Sequence, residues 1–448
     1  MCMIRKTVAV CPECAREVEG RVVREGETVY LLRECPDHGS YRLCVSNNGA
    51  SYADFDRFYC EVLGKGQPAE KIANIWIVGS ASCQMLCRYC NADMRQPAFE
   101  DMTLDDLKQI LDEHGHVKLT FSGGEPTLHP HVFDFFREAA RRGVAAQLAT
   151  NGVTLASLDF CKKLIEAGVT DVRITVDSLN REQTQLLGSE AFHEPKIRAL
   201  ENLQALNVPT TLSVTVLRDI NEDQVAACID FAHDKPFIRA VSVNGFTWSG
   251  GGRSLDRSHV MMPDEIMDLI YARYSTPASR REDYLTFQKA LFSLMQIMGM
   301  RLCLYTQLMV FVRTRQGMAP ITEFLHMRRL NRAMKRWERL ASSGRFVQAV
   351  AMGLALTYAL RAKSFTIIPH IARMFLANLL RVSARNTPSK FLSLSINTSC
   401  SVLNWDRAVA DRCMSSFLIR MNGEVRLGVS TNSVMERERK EVAATIAK

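Results

Sequence analysis

Between residues 74 and 246 the chain alternates two periodicities. Short apolar runs at 74–79, 118–122, 145–150, 171–176, 210–217 and 240–246 read as strands. Between most of them, at 103–113, 132–142, 157–167, 196–206 and 222–233, apolar residues recur at helical spacing. Thr103 followed by Asp105 and Asp106 reads as a helix cap, and Gly143 and Gly168 close two of the helices. Strand, helix, strand at this spacing predicts parallel βαβ units. Six such units predict an α/β fold, a partial (β/α)6 TIM-like barrel in preference to a doubly wound open sheet, two arrangements that spacing does not separate.

The flanks read differently. Residues 1 to about 45 form a small cysteine-bearing knuckle with turn signals at Pro12 and Pro36, and a connector with Gly64 and Gly66 ends near Glu70. After Gly252 the pattern is mainly helical to about Arg385, then gives strand-like pieces at 392–396 and 417–420, with Asn422-Gly423 as a hairpin turn. The expected organisation is a knuckle and connector at 1–70, a core at 71–252 and a mainly helical C-terminal region at 253–448. No internal repeat is evident.

At 448 residues and 47% hydrophobic, the chain has enough apolar surface for a large core, and its 23% charged residues argue against wholesale disorder. The residues before Cys11 lack the long apolar run of a signal peptide. Six of the fourteen cysteines fall into tight arrangements with metal-ligand spacing, so thiolates holding metals in a reducing cytoplasm are expected rather than disulfides.

Cys83, Cys87 and Cys90 lie in one loop directly after the first strand of the core. Three cysteines so spaced reach three corners of a [4Fe–4S] cubane and leave one iron without a protein thiolate. The alternatives are three buried cysteines, or part of a zinc site completed elsewhere. CxxxCxxC with Tyr89 before the last cysteine resembles the radical S-adenosylmethionine (SAM) superfamily. Gly123-Gly124-Glu125-Pro126, at the end of the second strand, resembles that family's SAM-binding element; by itself it is an ordinary tight turn. The resemblance implies SAM bound at the open iron, reductive cleavage to a 5′-deoxyadenosyl radical, hydrogen abstraction from substrate, and a reduced flavodoxin or ferredoxin as electron donor. Asn151 after strand three and Asp177 after strand four are the further SAM contacts expected, ahead of Thr150, Gly152, Thr175, Ser178, Arg218 and Asn221.

Cys11-Pro12-Glu13-Cys14 and Cys35-Pro36-Asp37-His38 present two pairs of soft ligands twenty residues apart, a match for a closed tetrahedral site holding zinc or a mononuclear iron. The alternative is a reduced cysteine-containing hairpin. This knuckle joined to the core resembles the subgroup of tetraether lipid synthase and the methanopterin-pathway radical SAM methyltransferases, as do Val243-Asn244-Gly245-Phe246-Thr247 and Gly252-Arg253. The chain departs from that subgroup in having no cysteine at 254–302 and none near Gly428. Cys303, Cys400 and Cys413 therefore read as buried inert thiols or as one auxiliary cluster.

Residues 313–345 hold nine Lys/Arg and two Glu, mostly on a helix around 327–340, and apolar stretches at 346–360 and 365–380 follow, each too short to span a bilayer. This reads as a surface at the inner face of the membrane, or as a helical subdomain with one solvated basic face. The expected substrate is a lipid or other hydrophobic molecule; the second reading is a soluble cofactor or peptide, and the third a non-catalytic iron–sulfur or zinc scaffold. No nucleic-acid partner is expected, because no recognised module accompanies the basic segment.

Overall fold

The computed structural model describes residues 1–65, 74–85, 87–91, 99–115, 117–274, 281–299, 303–370, 389–411, 413, 415–421 and 423–429. Gly66, Arg412, Asn422 and the apolar stretch beyond residue 370 lie outside them. The N-terminal knuckle is a four-stranded antiparallel sheet in sequential order, β1 (Cys2–Val10), β2 (Glu17–Glu25), β3 (Thr28–Cys35) and β4 (Gly39–Ser46), followed by α1 (Gly49–Arg57).

The core then alternates β5 (Asn74–Ser80), the two-residue β6 (Phe99–Glu100), α2 (Leu104–His114), β7 (Lys118–Gly123), α3 (Val132–Arg141), β8 (Ala146–Thr150), α4 (Leu158–Ala167), β9 (Asp171–Thr175), α5 (Arg181–Leu186), α6 (His193–Ala205), β10 (Thr210–Val216), α7 (Asp223–Phe231) and β11 (Ile238–Gly245). Strands β5, β7, β8, β9, β10 and β11 pair in parallel in chain order, the arrangement of a partial (β/α)6 barrel. Thr103 caps α2 in a reciprocal capping box with Asp106. Helix α5 is one element the pattern did not reveal, because six residues are too few to show a helical period.

The two faces of the sheet differ, since successive strand residues point to opposite sides. Ile75, Ile77, Leu119, Phe121, Leu148, Ile174, Leu212 and Val243 are buried in the main hydrophobic core. The alternate positions carry Trp76, Thr120, Gln147, Arg173, Ser213 and Asn244, several joined to one another, as in the 3.1 Å bond from Asn244 Nδ2 to Ser213 Oγ. The inner face of the barrel is therefore polar.

The C-terminal region contains α8 (Pro263–Tyr274), α9 (Arg281–Ile297), β12 (Gln307–Thr314), β13 (Gly317–Pro320), α10 (Met327–Trp337), α11 (Arg345–Tyr358), β14 (Phe391–Thr398), β15 (Ser415–Met421) and β16 (Glu424–Val429). It does more than pack on the barrel: β14 pairs in parallel with β11, and β15 with β5, so this region lengthens the sheet at both edges. Strands β12 and β13 interrupt the helical run read from the sequence, β12 lying antiparallel on β14. The β15–β16 hairpin turns at Gly423, whose φ is 77°. Arg313, counted in the basic segment, is instead buried and donates to the carbonyls of Ala232, His233, Ile238, Ser389 and Phe391, tying β14 to the barrel.

The N-terminal sheet is joined to this region through a buried ionic cluster. Arg5 on β1 bonds Asp56 Oδ1 at 2.8 Å and both Asp406 oxygens, and Thr7 Oγ1 donates to Asp406 at 2.7 Å. Among the described residues no helix is long and apolar enough to cross a membrane.

Candidate active site and metal centre

The N-terminal ligands converge as their spacing requires. Cys11 and Cys14 sit in the turn after β1, where Ala15 N–H donates to Cys11 O at 2.9 Å, while Cys35 ends β3 and His38 stands in the turn before β4. Their four donor atoms lie within 4.8 Å of one another. The Cys35 Sγ–His38 Nδ1, Cys11 Sγ–His38 Nδ1 and Cys14 Sγ–Cys35 Sγ separations are 3.5, 3.8 and 3.9 Å. Metal–ligand arms of about 2.0–2.3 Å give a tetrahedron edges of roughly 3.3–3.8 Å, so the four donors fit one tetrahedral ion. The contact with His38 pulls the Cys35 thiol down to about 6, whereas burial pushes Cys11 up to about 11.

Cys83, Cys87 and Cys90 occupy the loop after β5, Cys83 exposed and the other two half-buried. Met85 N–H donates to Cys83 Sγ at 3.4 Å, and Cys90 N–H to Cys87 O at 3.2 Å. Burial, then the Asp177 carboxylate, pushes the Cys87 thiol up to about 11. Among the described residues these three sulfurs do not crowd within 4.8 Å as the N-terminal donors do. Thiolates that each take a different iron of a cubane stand farther apart than ligands of one ion, so this spacing does not match a single-ion site.

The two glycines are required by the loop above them. A Cβ on Gly124 would lie 2.3 Å from Ser82 O, and Gly123, at φ 129°, would place one 2.6 Å from Ser80 O. Gly124 and Glu125 N–H donate to Ser80 O and Ser82 O, both at 2.7 Å, fastening the end of β7 to the start of the cysteine loop. A Gly124→Ala chain is thus expected to fold but to displace Cys83. We expect it to hold less iron after anaerobic reconstitution and to lose about 10²-fold in activity, the scale of a 1 Å misplacement; iron analysis and turnover check this.

Glu125 is fully buried. Its carboxylate accepts from Thr127 N–H and Oγ1, from Thr150 Oγ1 at 2.7 Å and from Asn151 N–H at 2.7 Å. Burial raises the Glu125 pKa and these donors oppose the rise. The residue thus binds the ends of β7 and β8 together, and Pro126 opens a short helical turn that Glu125 caps. Asn151 Nδ2 faces Gln84 Oε1 at 3.3 Å and Cys83 Sγ at 3.9 Å, which puts this residue at the cysteine loop.

Asp177 is also buried: one oxygen accepts from Tyr89 O–H, the other from Thr215 N–H at 2.8 Å. Tyr89 in turn packs with Leu187, Leu217 and Phe246, so the aromatic residue between Cys87 and Cys90 anchors the loop to the barrel rim. Of the secondary candidates, Thr150 serves Glu125, and Gly152 turns at φ 84°. Thr175 lies half-buried at the end of β9, and Ser178 accepts from Asn180 N–H. Asn221 closes the turn after β10, and Arg218 bonds the 258–265 segment.

Sequence reasoning missed the loop after β11 as a support. Gly252 N–H donates to Cys90 O at 3.2 Å. Arg257 lies over Trp248, 4.1 Å from the ring centroid, and bonds Glu13 Oε1 at 3.1 Å, between the candidate metal ligands Cys11 and Cys14. The N-terminal centre thereby braces the loop that backs Cys90. Cys303, Cys400 and Cys413 are not gathered into a single-ion site among the described residues. Burial, then Cys413 nearby, pushes the Cys303 thiol up to about 12.

Residues 77–232 match the radical SAM superfamily and residues 3–47 the HMPTM N-terminal zinc ribbon domain. Among curated proteins the chain is similar to 7,8-dihydro-6-hydroxymethylpterin dimethyltransferase of Methanocaldococcus jannaschii, 23% identical over 59% of this chain and 58% of that protein. It is similar to a probable GTP 3′,8-cyclase of Pyrococcus abyssi, 28% identical over 36% and 53% of the two chains. It is also similar to Fe-coproporphyrin III synthase of Methanosarcina barkeri, 24% identical over 43% and 49%. The chain spans about half to three fifths of the length of the curated relatives it matches. Among solved structures, SuiB of Streptococcus suis bound to precursor peptide SuiA aligns with TM-score 0.37 and 14% identity over 50% of each chain. Coproporphyrinogen III oxidase of Escherichia coli aligns with TM-score 0.34 and 15% identity over 48% and 54%.

Proposed function

We propose, on the match of residues 77–232 to the radical SAM superfamily, that this chain is a radical SAM enzyme that modifies a C–H bond of a small planar heterocycle, of the pterin kind, held on the inner face of its barrel. The observation that carries the substrate class is the inner face itself. Trp76 stacks on Phe417 with centroids 5.8 Å apart, and the Arg173 guanidinium lies 5.4 Å from the Trp76 ring. Burial lowers the Arg173 pKa, and among the described residues its Nε has no hydrogen-bond partner. An aromatic wall beside an under-satisfied guanidinium suits a flat ligand with a carbonyl or anionic edge.

In this reading Cys83, Cys87 and Cys90 hold a [4Fe–4S] cluster, and Asn151 meets SAM beside it. The cluster, when bound, supplies the electron, taken from reduced flavodoxin or ferredoxin, that splits SAM to methionine and a 5′-deoxyadenosyl radical. Gly123 and Gly124 let the β7 end lie flush against the cysteine loop. Glu125 holds Asn151 in place through its main chain, and Asp177 fixes Tyr89. The zinc ribbon keeps the loop after β11 against Cys90, and the core at 71–252 carries the chemistry with β14 and β15 closing in on its edges.

The relatives' names mention a pterin, GTP and a coproporphyrin, so the lipid substrate expected from the basic and apolar segments gains no support from them. The scaffold reading is set aside, because the chain keeps both the cysteine triplet and the glycine pair inside the matched domain. The test compares substrate-dependent SAM consumption by the reconstituted chain with 6-hydroxymethyl-dihydropterin, a peptide extract and a polar lipid extract. The pterin is expected to stimulate, and Arg173→Leu to raise its KM at least about tenfold while basal SAM cleavage persists, the loss of one hydrogen-bonded charge. Stimulation by lipid alone would contradict the proposal.

A further inference from the structure

Helix α11 is an anomaly on an otherwise ordinary surface. From Phe346 to Leu360 there is no charged residue. Among the described residues one side is covered, by Met352 and Ala355 packing toward α10 and by the 3.2 Å bond from Trp337 Nε1 to Gln348 O. Along the other side Phe346, Val350, Leu354 and Tyr358 repeat every four residues, one stripe of a helix. Phe346 is 81% exposed, Leu354 67%, and Phe365 beyond the helix end 73%. An isolated exposed apolar residue needs no explanation; a row of them does.

The neighbouring helix supplies the complement. The exposed positions of α10 include Arg328, Arg329, Arg332, Lys335 and Arg336. Among the described residues none of the five is ion-paired with a carboxylate. Glu338, at the helix end, is held by Arg57 and Lys289 instead. The guanidinium of Arg329 lies 5.3 Å from the Tyr358 ring, so the cationic face and the apolar stripe meet in one surface. Beside them is a cavity of about 680 Å³ lined by Arg328, Arg329, Arg332, Arg361 and His326, with Glu282 and Asp283 at its wall.

The geometry points to a docking surface for an anionic phospholipid bilayer: α11 lies in the interface with its stripe among the acyl chains, and the α10 cations bind headgroup phosphates. Charge complementarity selects this occupant. A second copy of the chain joined stripe to stripe would set two strongly cationic α10 faces side by side, and a nucleic acid would leave Phe346, Leu354 and Phe365 without apolar cover. The surface lies outside the SAM-binding loops, so this inference does not depend on the substrate.

The full chain, sedimented with vesicles, is expected to bind phosphatidylcholine–phosphatidylglycerol mixtures and to bind phosphatidylcholine alone at least about tenfold more weakly, with added salt weakening binding to the mixture. Leu354→Glu and, separately, Arg329→Gln with Arg332→Gln are each expected to weaken binding about tenfold or more while leaving the thermal midpoint unchanged. Both changes fall on exposed positions, and failure of one variant to fold leaves the other to decide. Wild-type chain that ignores anionic vesicles would overturn the proposal. So would unaltered binding by a variant that folds, or a vesicle-free dimer that Leu354→Glu dissolves.

Discussion

Replacing Cys87 by alanine is expected to leave a folded chain that retains its N-terminal metal and holds no intact [4Fe–4S] cluster. The thiol lies half-buried beside Tyr89, and burial pushes its pKa up to about 11, so without iron it remains protonated and contributes little more than a small apolar side chain. Its removal opens a small gap and disturbs few contacts. A cubane left with two thiolates, by contrast, loses one of the three anchors that the loop provides. Iron and sulfide per chain after reconstitution should fall to background, with zinc retained and the thermal midpoint of the apo chain nearly unchanged. Serine at the same position should do no better than alanine, since it offers a poor ligand for this cluster.

The second large effect concerns stability. Arg5→Met is expected to destabilise the chain by about 3–5 kcal/mol, because it leaves charges buried without their partner. The side chains of Arg5, Asp56 and Asp406 are 12%, 4% and 1% exposed, so solvent cannot replace the lost guanidinium. Burial raises the Asp56 pKa and Arg5 opposes the rise, so removing Arg5 removes the main group that favours the charged carboxylate. Removing Arg5 leaves two carboxylates facing each other. Asp406→Asn should therefore cost less, and the double variant should recover part of the loss. A urea titration of the three variants checks the ordering, and a shift below about 0.5 kcal/mol for Arg5→Met would place the cluster among exposed ion pairs of little consequence.

The core was legible because its signals are local. The strand runs from 74 to 246, the capping box at Thr103 and Asp106, and the cysteine and glycine motifs each sit within a dozen residues of sequence. The N-terminal ligands were equally readable, since paired CxxC and CxxH turns state their own geometry. What escaped was non-local. Strands β14 and β15 join opposite edges of the sheet, β15 beside a strand more than three hundred residues earlier, which no periodicity encodes. Glu125 carried a motif, but its bonds to Thr150 and Asn151 depend on the pairing of β7 with β8. Trp76 and Arg173 had a usable signal: each sits between two aliphatic residues of its strand, Ile75 and Ile77 or Val172 and Ile174, the mark of a second, different face. The basic count over 313–345 misled in one respect, because net charge does not distinguish buried Arg313 from exposed Arg328 and Arg332.

The measurement that bears most directly on the account is the electron paramagnetic resonance spectrum of the reconstituted, reduced chain before and after SAM is added. An iron without a protein thiolate, beside Asn151 and the Gly123-Gly124 turn, should take SAM as its ligand through its amino and carboxylate groups, and the cluster signal should shift on addition. A fully loaded, reduced cluster whose signal is unchanged by SAM would contradict the assignment of this site.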